Sequence, residues 1–207
     1  MEKSNKEDLQ QKYLMTMLVP AQEKLKKYSI EELCEKAAIT FDKTAQDFIV
    51  PSLGMDLRVH YPDFTIDRTL DMWHYLTILQ YMDTADGSPL TDKWISLSDM
   101  SGGLSRGYGF NKDISTMFQR NFGNISPEQF AQACRKAGGR IQAGKSDVSA
   151  VIPYAPMFPV IVNFWASDEE FPASGKILVN EKAEHYLTIE AAGGACSAVV
   201  TEISRHL

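Results

Sequence analysis

Two segments of the chain combine side chains that suit ligand binding or acid–base chemistry, and one of them is acidic. Asp168, Glu169 and Glu170 follow directly on an apolar run that ends at Trp165. Carboxylates beside an aromatic surface can hold a cation, or one of them can have its pKa raised enough to act as a general base. Successive residues of a strand point to opposite faces, so only two of the three converge without a turn. The alternative is a solvated turn before Phe171.

The other segment is the most glycine-rich of the chain, Ser101–Phe110 (SGGLSRGYGF). Its glycine spacing differs from the dinucleotide-binding fingerprint, and no βαβ unit is predicted around it. We expect a loop whose backbone forms a wall close to a ligand. The alternative is a tightly turned surface loop. The candidate ligand contacts in and near this loop are two glycines, one cation and two aromatic side chains: Gly102, Gly103, Arg106, Trp94 and Tyr108.

A third segment, Gly139–Ser146, satisfies the pattern G-x-x-x-x-G-K-[ST] of the phosphate-binding P-loop. In a P-loop, a buried strand precedes the first glycine and a helix begins at the Lys-Ser pair. Here a helix is predicted before Gly139, and a β-branched run closed by Pro153 follows Ser146. These flanks favour an ordinary helix-to-strand loop, and nucleotide binding stays a minor alternative.

Metal ligands and nucleophiles show no recognisable spacing. The chain has three cysteines without a CxxC pair, and its four histidines are dispersed, with no HxxxH or HExxH pair. No G-x-S-x-G elbow supports a serine nucleophile. The residues therefore predict no metal site, name no cofactor and leave any catalytic residue unassigned.

Length and charge set the broad class. With 207 residues, 44% hydrophobic and 23% charged, the chain has the composition of a globular protein that buries a core without disulfides. A formal net charge of −6 and the lack of a dense basic run exclude a nucleic-acid surface. Residues 148–167 are uncharged, but prolines interrupt them, which predicts two buried strands and no membrane span. The charged N-terminus lacks a signal-peptide core, so we expect a cytoplasmic protein.

Hydrophobic periodicity predicts a single α+β domain over residues 1–207, with mainly antiparallel strands flanked by helices. Residues 1–28 are expected to form a helical extension packed on it, kinked or split at Pro20. Ser29 and Glu32 have the form of a capping box, and Asp67 or Thr69 is expected to cap a later helix. The predicted helices lie over 6–27, 30–38, 69–84, 112–122, 128–137, 181–186 and 189–205. The predicted strands lie near 48–50, 55–59, 94–98, 148–153, 159–166 and 176–180.

Two sequence patterns also resemble those of a known family. Residues 94–103 (WISLSDMSGG) contain W-x-S followed by a double glycine, and residues 164–172 (FWASDEEFP) have the pattern F-W-x-x-D-E-E-F-P. In that order, over residues 30–205, the chain resembles an uncharacterised prokaryotic domain of unknown function found mainly in anaerobes. Some members are associated with iron–sulfur or corrinoid proteins, so the resemblance implies an accessory role in redox or one-carbon metabolism. The chain lacks the cysteine-rich extension of those members.

The residues and the resemblance together predict a module that binds a small molecule or a cofactor. Trp94–Phe110 and Trp165–Phe171 are expected to line one pocket, in which the tryptophans give apolar contact and Arg106 contacts an anionic group. The alternative is an enzyme of unknown reaction that uses a carboxylate of the acidic segment. That alternative requires one buried carboxyl group with a raised pKa. No protein partner is indicated by the sequence.

Overall fold

Helices alternate with two separate groups of strands. The computed structural model describes Lys12, residues 16–66, Arg68 and residues 70–207. Its helices are α1 (residues 16–25), α2 (Ile30–Ala37), α3 (Met72–Thr84), α4 (Gly103–Phe122), α5 (Pro127–Lys136) and α6 (Ile189–Arg205). Its strands are β1 (Thr40–Asp42), β2 (Asp47–Ser52), β3 (Met55–His60), β4 (Thr65–Ile66), β5 (Trp94–Ile95), β6 (Arg140–Gln142), β7 (Val148–Ala155), β8 (Phe158–Trp165) and β9 (Ser174–Asn180). Short 3-10 turns cover Leu97–Asp99 and Ala183–His185.

The first sheet is an antiparallel meander in the order β1-β2-β3-β4. Leu53 and Gly54 connect β2 to β3 with φ values of 51° and 74°. A two-residue turn with both φ values positive matches the twist of the strands that it joins. Alternate residues of the two strands, such as Phe48 and Leu57, are buried in the core. The strands predicted from period-two alternation are therefore confirmed.

The second sheet is antiparallel in the order β5-β9-β8-β7-β6. On β8, Val162 and Phe164 are buried, whereas the intervening Asn163 is only partly buried. The Phe164 ring stacks on Phe130 of α5 at 4.2 Å between ring centroids, and Phe118 of α4 joins the same aromatic cluster. The uncharged stretch 148–167 is thus the β7–β8 hairpin, as predicted. Over the part of the chain described, no helix combines the length and the apolarity needed to cross a bilayer.

The two sheets meet where the β2–β3 turn reaches the end of α5. The Leu53 N–H donates a hydrogen bond to the Pro153 carbonyl of β7 at 3.0 Å. Gly54 and Gly138 approach each other so closely that a Cβ atom at Gly138 would lie 2.5 Å from the Gly54 nitrogen. Gly138 also has a φ of 79°, a conformation that glycine adopts without strain. This contact fixes the meander against the larger sheet.

Buried apolar side chains form one core that extends from Leu18 of α1 to Ile203 of α6. The chain is accordingly one α+β domain, as the sequence predicted. α1 is helical through Pro20 without the break that was expected there, while residues 6–11 and 13–15 lie outside the described part. Half of the capping box predicted for α2 is confirmed, because Ser29 Oγ accepts the Glu32 N–H at 3.1 Å, whereas the structure shows no return hydrogen bond from the Glu32 side chain to Ser29.

Several element boundaries differ from the sequence predictions, and the short strands β1, β4 and β6 were not predicted. α3 begins at Met72 because Asp71 caps it by accepting the Trp73 N–H at 3.0 Å, and the expected caps at 67 and 69 lie outside the described residues. The strand predicted over 94–98 ends at Ile95, because the Asp99 carboxylate accepts the Ser96 N–H at 3.1 Å and closes a 3-10 turn. The helix predicted over 181–186 is only a 3-10 turn.

Candidate functional site

The glycine-rich segment is mostly helical rather than a loop, which corrects the sequence prediction. α4 begins at Gly103, directly after Gly102, which has a φ of 76°. Gly103 and Gly107 lie one helical turn apart, against the backbone of Leu97 and Ser98. A Cβ atom at Gly107 would lie 2.5 Å from the Leu97 carbonyl oxygen, so a larger residue forces the two backbones apart. These two glycines therefore let the helix pack closely on the 3-10 turn.

The remaining residues predicted around this segment are not gathered at one site. Arg106 of α4 is exposed and forms an ion pair with Glu190 in the first turn of α6. Trp94 is half-buried in β5, whereas Tyr108 is 64% exposed. Tyr108 helps to line a polar cleft of about 500 Å³ between the 3-10 turn, α4 and β9, which also includes Lys176. Neither Arg106 nor Trp94 lines this polar cleft.

The acidic segment forms an exposed turn after β8. Asp168, Glu169 and Glu170 are all exposed, and Trp165 at the end of β8 is 37% exposed. Asp168 Oδ1 accepts the Glu170 N–H at 2.9 Å and the Phe171 N–H at 2.7 Å. These two backbone hydrogen bonds lower the pKa of Asp168. The enzyme alternative needs a buried carboxyl group with a raised pKa, and the acidic turn does not provide one.

The acidic turn and Arg106 lie at opposite ends of α4. Ser167 Oγ donates a hydrogen bond to the carbonyl of Gly123, the C-cap of α4, at 3.0 Å. Arg106 lies in the first turn of the same helix, 17 residues before Gly123, which corresponds to about 25 Å along a helix axis. The structure therefore does not bring Arg106 and the acidic turn together into the single pocket that the sequence predicted.

The P-loop pattern has the wrong structural context, as its flanks predicted. Gly139 follows the C-terminal end of α5, and Arg140–Gln142 form the edge strand β6. After Lys145 the chain enters β7 rather than a helix, and the Ser146 hydroxyl donates to the Val148 carbonyl at 2.8 Å. No helix begins at Lys145 or Ser146, so the phosphate-binding geometry of a P-loop is not formed.

A buried serine–histidine pair is structural rather than nucleophilic. Ser52 Oγ lies 2.8 Å from His74 Nε2, and both residues are only 2% exposed. The Ser52 hydroxyl donates its one proton to the Tyr154 carbonyl at 2.5 Å, so His74 Nε2 must donate to Ser52. Burial lowers the pKa of His74 to about 4, which keeps the ring neutral at pH 7. A base would have to accept from the serine, and this histidine does not.

A second histidine lies beside both an acid and a serine. His185 Nδ1 is 2.7 Å from Asp86 Oδ2 and 3.0 Å from Ser88 Oγ. The hydrogen bond with His185 lowers the pKa of Asp86 to about 2. In a catalytic triad the acid and the nucleophile contact opposite ring nitrogens. Here both contact the same nitrogen, so this cluster joins two loops and does not activate the serine.

A mainly apolar cleft lies among four helices. We call it the helical cleft; its volume is about 380 Å³, and its lining comes from α1, α3, α4 and α6: Met17, Trp73, Phe110, Asp113, Glu190, Gly193, Gly194 and Ser197. Phe110 and Asp113 recur at helical spacing on α4, and four of the α6 residues share the spacing i, i+3, i+4 and i+7. Such spacing places each set on one face of its helix. The two faces meet because α4 packs on α6.

Two adjacent glycines of α6 give the helical cleft its floor. A Cβ atom at Gly193 would lie 2.6 Å from the Phe110 ring, so the ring rests on the bare helix backbone. A Cβ atom at Gly194 would lie 3.2 Å from Thr77 Cγ2 and 3.9 Å from the Trp73 ring. A side chain at Gly193 would displace the Phe110 ring, whereas a Cβ atom at Gly194 would meet Trp73 only at an ordinary contact distance. Gly193 therefore sets the distance between the Phe110 ring and α6, and Gly194 adds no side chain to the helix surface near Trp73.

The charges of the helical cleft are carboxylates. Asp113 and Glu190 are the charged members of its lining, and both are exposed. Glu190 is paired with Arg106, which itself is not part of the lining. Ser197 Oγ donates to the Gly193 carbonyl at 3.0 Å. Such a site can hold an apolar body and a polar group. Among the described residues, no group of three or more His, Cys, Asp and Glu side chains is placed to hold a metal ion.

Phe110 ends the predicted pocket segment Trp94–Phe110, but sequence reasoning placed no other residue of this lining at a site, although one signal was present. The segment AAGGACSA places two neighbouring glycines inside a helical pattern, where each costs about 1 kcal/mol relative to alanine. Such a pair calls for a packing or binding reason. Trp73, by contrast, cannot be distinguished in the sequence from the other apolar positions of its helix. Its exposure of 37% is visible only in the folded chain.

The fold and the helical cleft define the class: an α+β protein with a cavity of small-molecule size between its helices. A family model matches residues 29–202, and the chain belongs to that family, described as Domain of unknown function (DUF3786). The predicted resemblance to a domain of unknown function is thereby confirmed over nearly the expected residues. No curated protein and no solved structure matched the chain.

Proposed function

We propose that this protein is a small-molecule-binding module whose ligand occupies the helical cleft. The observation that supports this most directly is the construction of the cleft around Gly193 and Gly194. Its volume of about 380 Å³ lies within the usual range of ligand sites. Trp73 stays 37% exposed at its edge, which leaves an aromatic surface open to a partner molecule. A ligand ring placed there gains contact with Trp73 and Phe110.

Binding is favoured over catalysis by the lining itself. A covalent mechanism needs a nucleophile beside a base that can take its proton. The Ser197 hydroxyl donates instead to a carbonyl of its own helix. The two carboxylates of the lining are exposed, and a general base is normally tuned by burial. We therefore assign recognition, and not turnover, to this cleft.

The proposal extends to the metabolic setting implied by the family resemblance, namely anaerobic redox or one-carbon metabolism. The chain would act there as an accessory module, because it has no CxxC pair for an iron–sulfur cluster of its own. Native mass spectrometry of protein purified under anaerobic conditions tests this extension. A bound flavin or corrinoid supports it. A ligand from another chemical class would remove the extension and leave the binding role in place.

The binding role is tested by titrating the isotope-labelled protein with 4-phenylbutanol, a neutral probe with one aromatic ring. The expected result is a saturable shift of the Trp73 indole N–H signal, assigned with the Trp73→Phe variant. Trp165 serves as the internal control, since it has the same 37% exposure but lies at the end of β8. Its signal should not move.

A substitution that fills the helical cleft tests the same proposal through a loss of probe binding. Ser197→Phe places a ring in the helical cleft and should weaken probe binding by roughly tenfold or more. Ser204→Phe is the control, because Ser204 lies on the same helix but outside the cleft lining. Circular dichroism is used to check that both variants are folded. Equal binding by both variants, or an unmoved Trp73 signal in the parent protein, would refute the proposal.

A further inference from the structure

The charge at the mouth of the helical cleft restricts the kind of ligand that fits. The lining carries two carboxylates, Asp113 and Glu190, and no cationic side chain. Arg106 neutralises Glu190 through their ion pair. Asp113 forms no ion pair with any residue of the described chain. These three groups therefore leave one uncompensated negative charge at the mouth.

The aromatic wall of the helical cleft also favours a cationic ligand. The face of an indole ring is electron-rich and attracts ammonium and guanidinium groups, and tryptophan does so best among the aromatic residues. Trp73 presents its partly exposed ring to this cleft. An anionic ligand would meet repulsion from Asp113 and from the ring face. A cation would be attracted by both.

We propose that the ligand of the helical cleft is an organic cation, an apolar body that carries an ammonium or guanidinium group. This inference rests on the proposed binding role and narrows its ligand class. The apolar body lies between Trp73 and Phe110, beside Gly194. The cationic group lies at the mouth, where Asp113 balances its charge. Arg106 already forms an ion pair with Glu190 and therefore competes with the cationic group of the ligand for that carboxylate.

The test compares three probes of similar shape: 4-phenylbutylammonium, 4-phenylbutanol and 4-phenylbutyrate. Dissociation constants are read from the Trp73 indole N–H signal at low ionic strength. An exposed charge pair contributes on the order of 0.2–1 kcal/mol, so the cation should bind about 1.4- to fivefold more tightly than the alcohol. The carboxylate should bind most weakly. The preference should shrink as salt is added, because salt screens exposed charges.

Two charge variants with opposite expected signs complete the test. Arg106→Gln leaves Glu190 unpaired and should strengthen binding of the cationic probe by about 1.4- to fivefold. Asp113→Asn should weaken it by a similar factor. The double variant restores the parent charge and should return the affinity close to the parent value. The Arg106→Gln variant, whose substituted residue lies outside the cleft lining, should not change the affinity for 4-phenylbutanol by a comparable factor.

The outcomes separate this inference from the function on which it rests. Equal binding of the cation and the alcohol, or an Arg106→Gln variant that leaves cation affinity unchanged, overturns the cation preference. The binding role then still holds, since the alcohol binds. If none of the three probes shifts the Trp73 signal, both the ligand class and the binding role fail. Tighter binding of the carboxylate would overturn the charge argument alone.

Discussion

The helical assignment of the glycine-rich segment leads to a sharp prediction for two alanine substitutions on α4. At Gly109, a Cβ atom would have nothing within 4 Å. Gly109→Ala should therefore gain the full helix-propensity difference and raise the free energy of unfolding by about 0.5–1 kcal/mol. At Gly107, the same Cβ atom would lie 2.5 Å from the Leu97 carbonyl oxygen and 2.6 Å from Ser98 Cα. These are backbone atoms, which cannot rotate away.

The expected cost at Gly107 follows from that contact. Inserting one methyl group into a filled site costs about 1–3 kcal/mol, and the helix-propensity gain of about 1 kcal/mol offsets part of it. The two variants should therefore differ by about 1–3 kcal/mol, with Gly107→Ala the less stable. Urea denaturation followed by circular dichroism measures both, with equal m-values as the sign of an unchanged unfolding transition. If Gly109→Ala destabilised the protein, or if the variants were equally stable, the helix would not begin at Gly103 as described.

Two further substitutions test the junction of the sheets and the buried histidine. Gly138→Ala should lower the free energy of unfolding by at least about 2 kcal/mol, because its Cβ atom would lie 2.5 Å from the Gly54 nitrogen. Gly87→Ala is the control, since Gly87 has a similar φ of 78° but no neighbour closer than 3.9 Å. It should cost only about 1 kcal/mol of backbone strain. Equal losses in urea denaturation would contradict the close approach of the sheets. Burial holds the pKa of His74 at about 4 against 6.5 when unfolded. Between these pH values only the unfolded chain takes up the proton, so the free energy of unfolding decreases by up to about 1.4 kcal/mol for each unit by which the pH is lowered. His74→Gln should remove this slope from the free energy of unfolding measured between pH 4 and 7; an identical slope in the variant would mean that the ring is not buried neutral.

Elements whose signals are local could be predicted from the sequence. The uncharged, proline-containing stretch forms the predicted hairpin, although β7 and β8 continue through Pro153 and Pro159, which lie opposite each other, and the turn lies at residues 156–157. Ser126 and Gln129 form a reciprocal capping box at the start of α5, a pattern that residues of one short segment encode. The period of α6 was sufficient to place it at Ile189–Arg205. In each case, neighbouring residues alone decide the backbone conformation.

The glycine-rich segment failed as a prediction because its structure depends on a contact outside it. Glycines in a row are typical of loops, and their helix propensity is poor. Here Gly103 and Gly107 are needed because Leu97 and Ser98 lie directly against the helix backbone. Without knowledge of that neighbour, the same letters favour a loop. The tertiary contact overrides the local preference.

The site was missed for a related reason. The acidic turn is conspicuous in the sequence, but Ser167 attaches it to the far end of α4, away from Arg106. The helical cleft instead combines residues of α1, α3, α4 and α6 that look ordinary in their own segments. Only the pair Gly193 and Gly194 is unusual within its own segment, and it did not enter the sequence prediction. Convergence of four helices is a property of packing, and no single segment encodes it.

The most direct test of the central claim is to locate a bound probe by intermolecular nuclear Overhauser effects. With 4-phenylbutylammonium present at saturation, we expect cross-peaks from the probe's ring protons to the side-chain protons of Trp73 and Phe110, both of which line the helical cleft. Cross-peaks to Tyr108 or Trp165 instead, or none to Trp73 and Phe110, would contradict the claim that this protein binds its ligand between α3, α4 and α6.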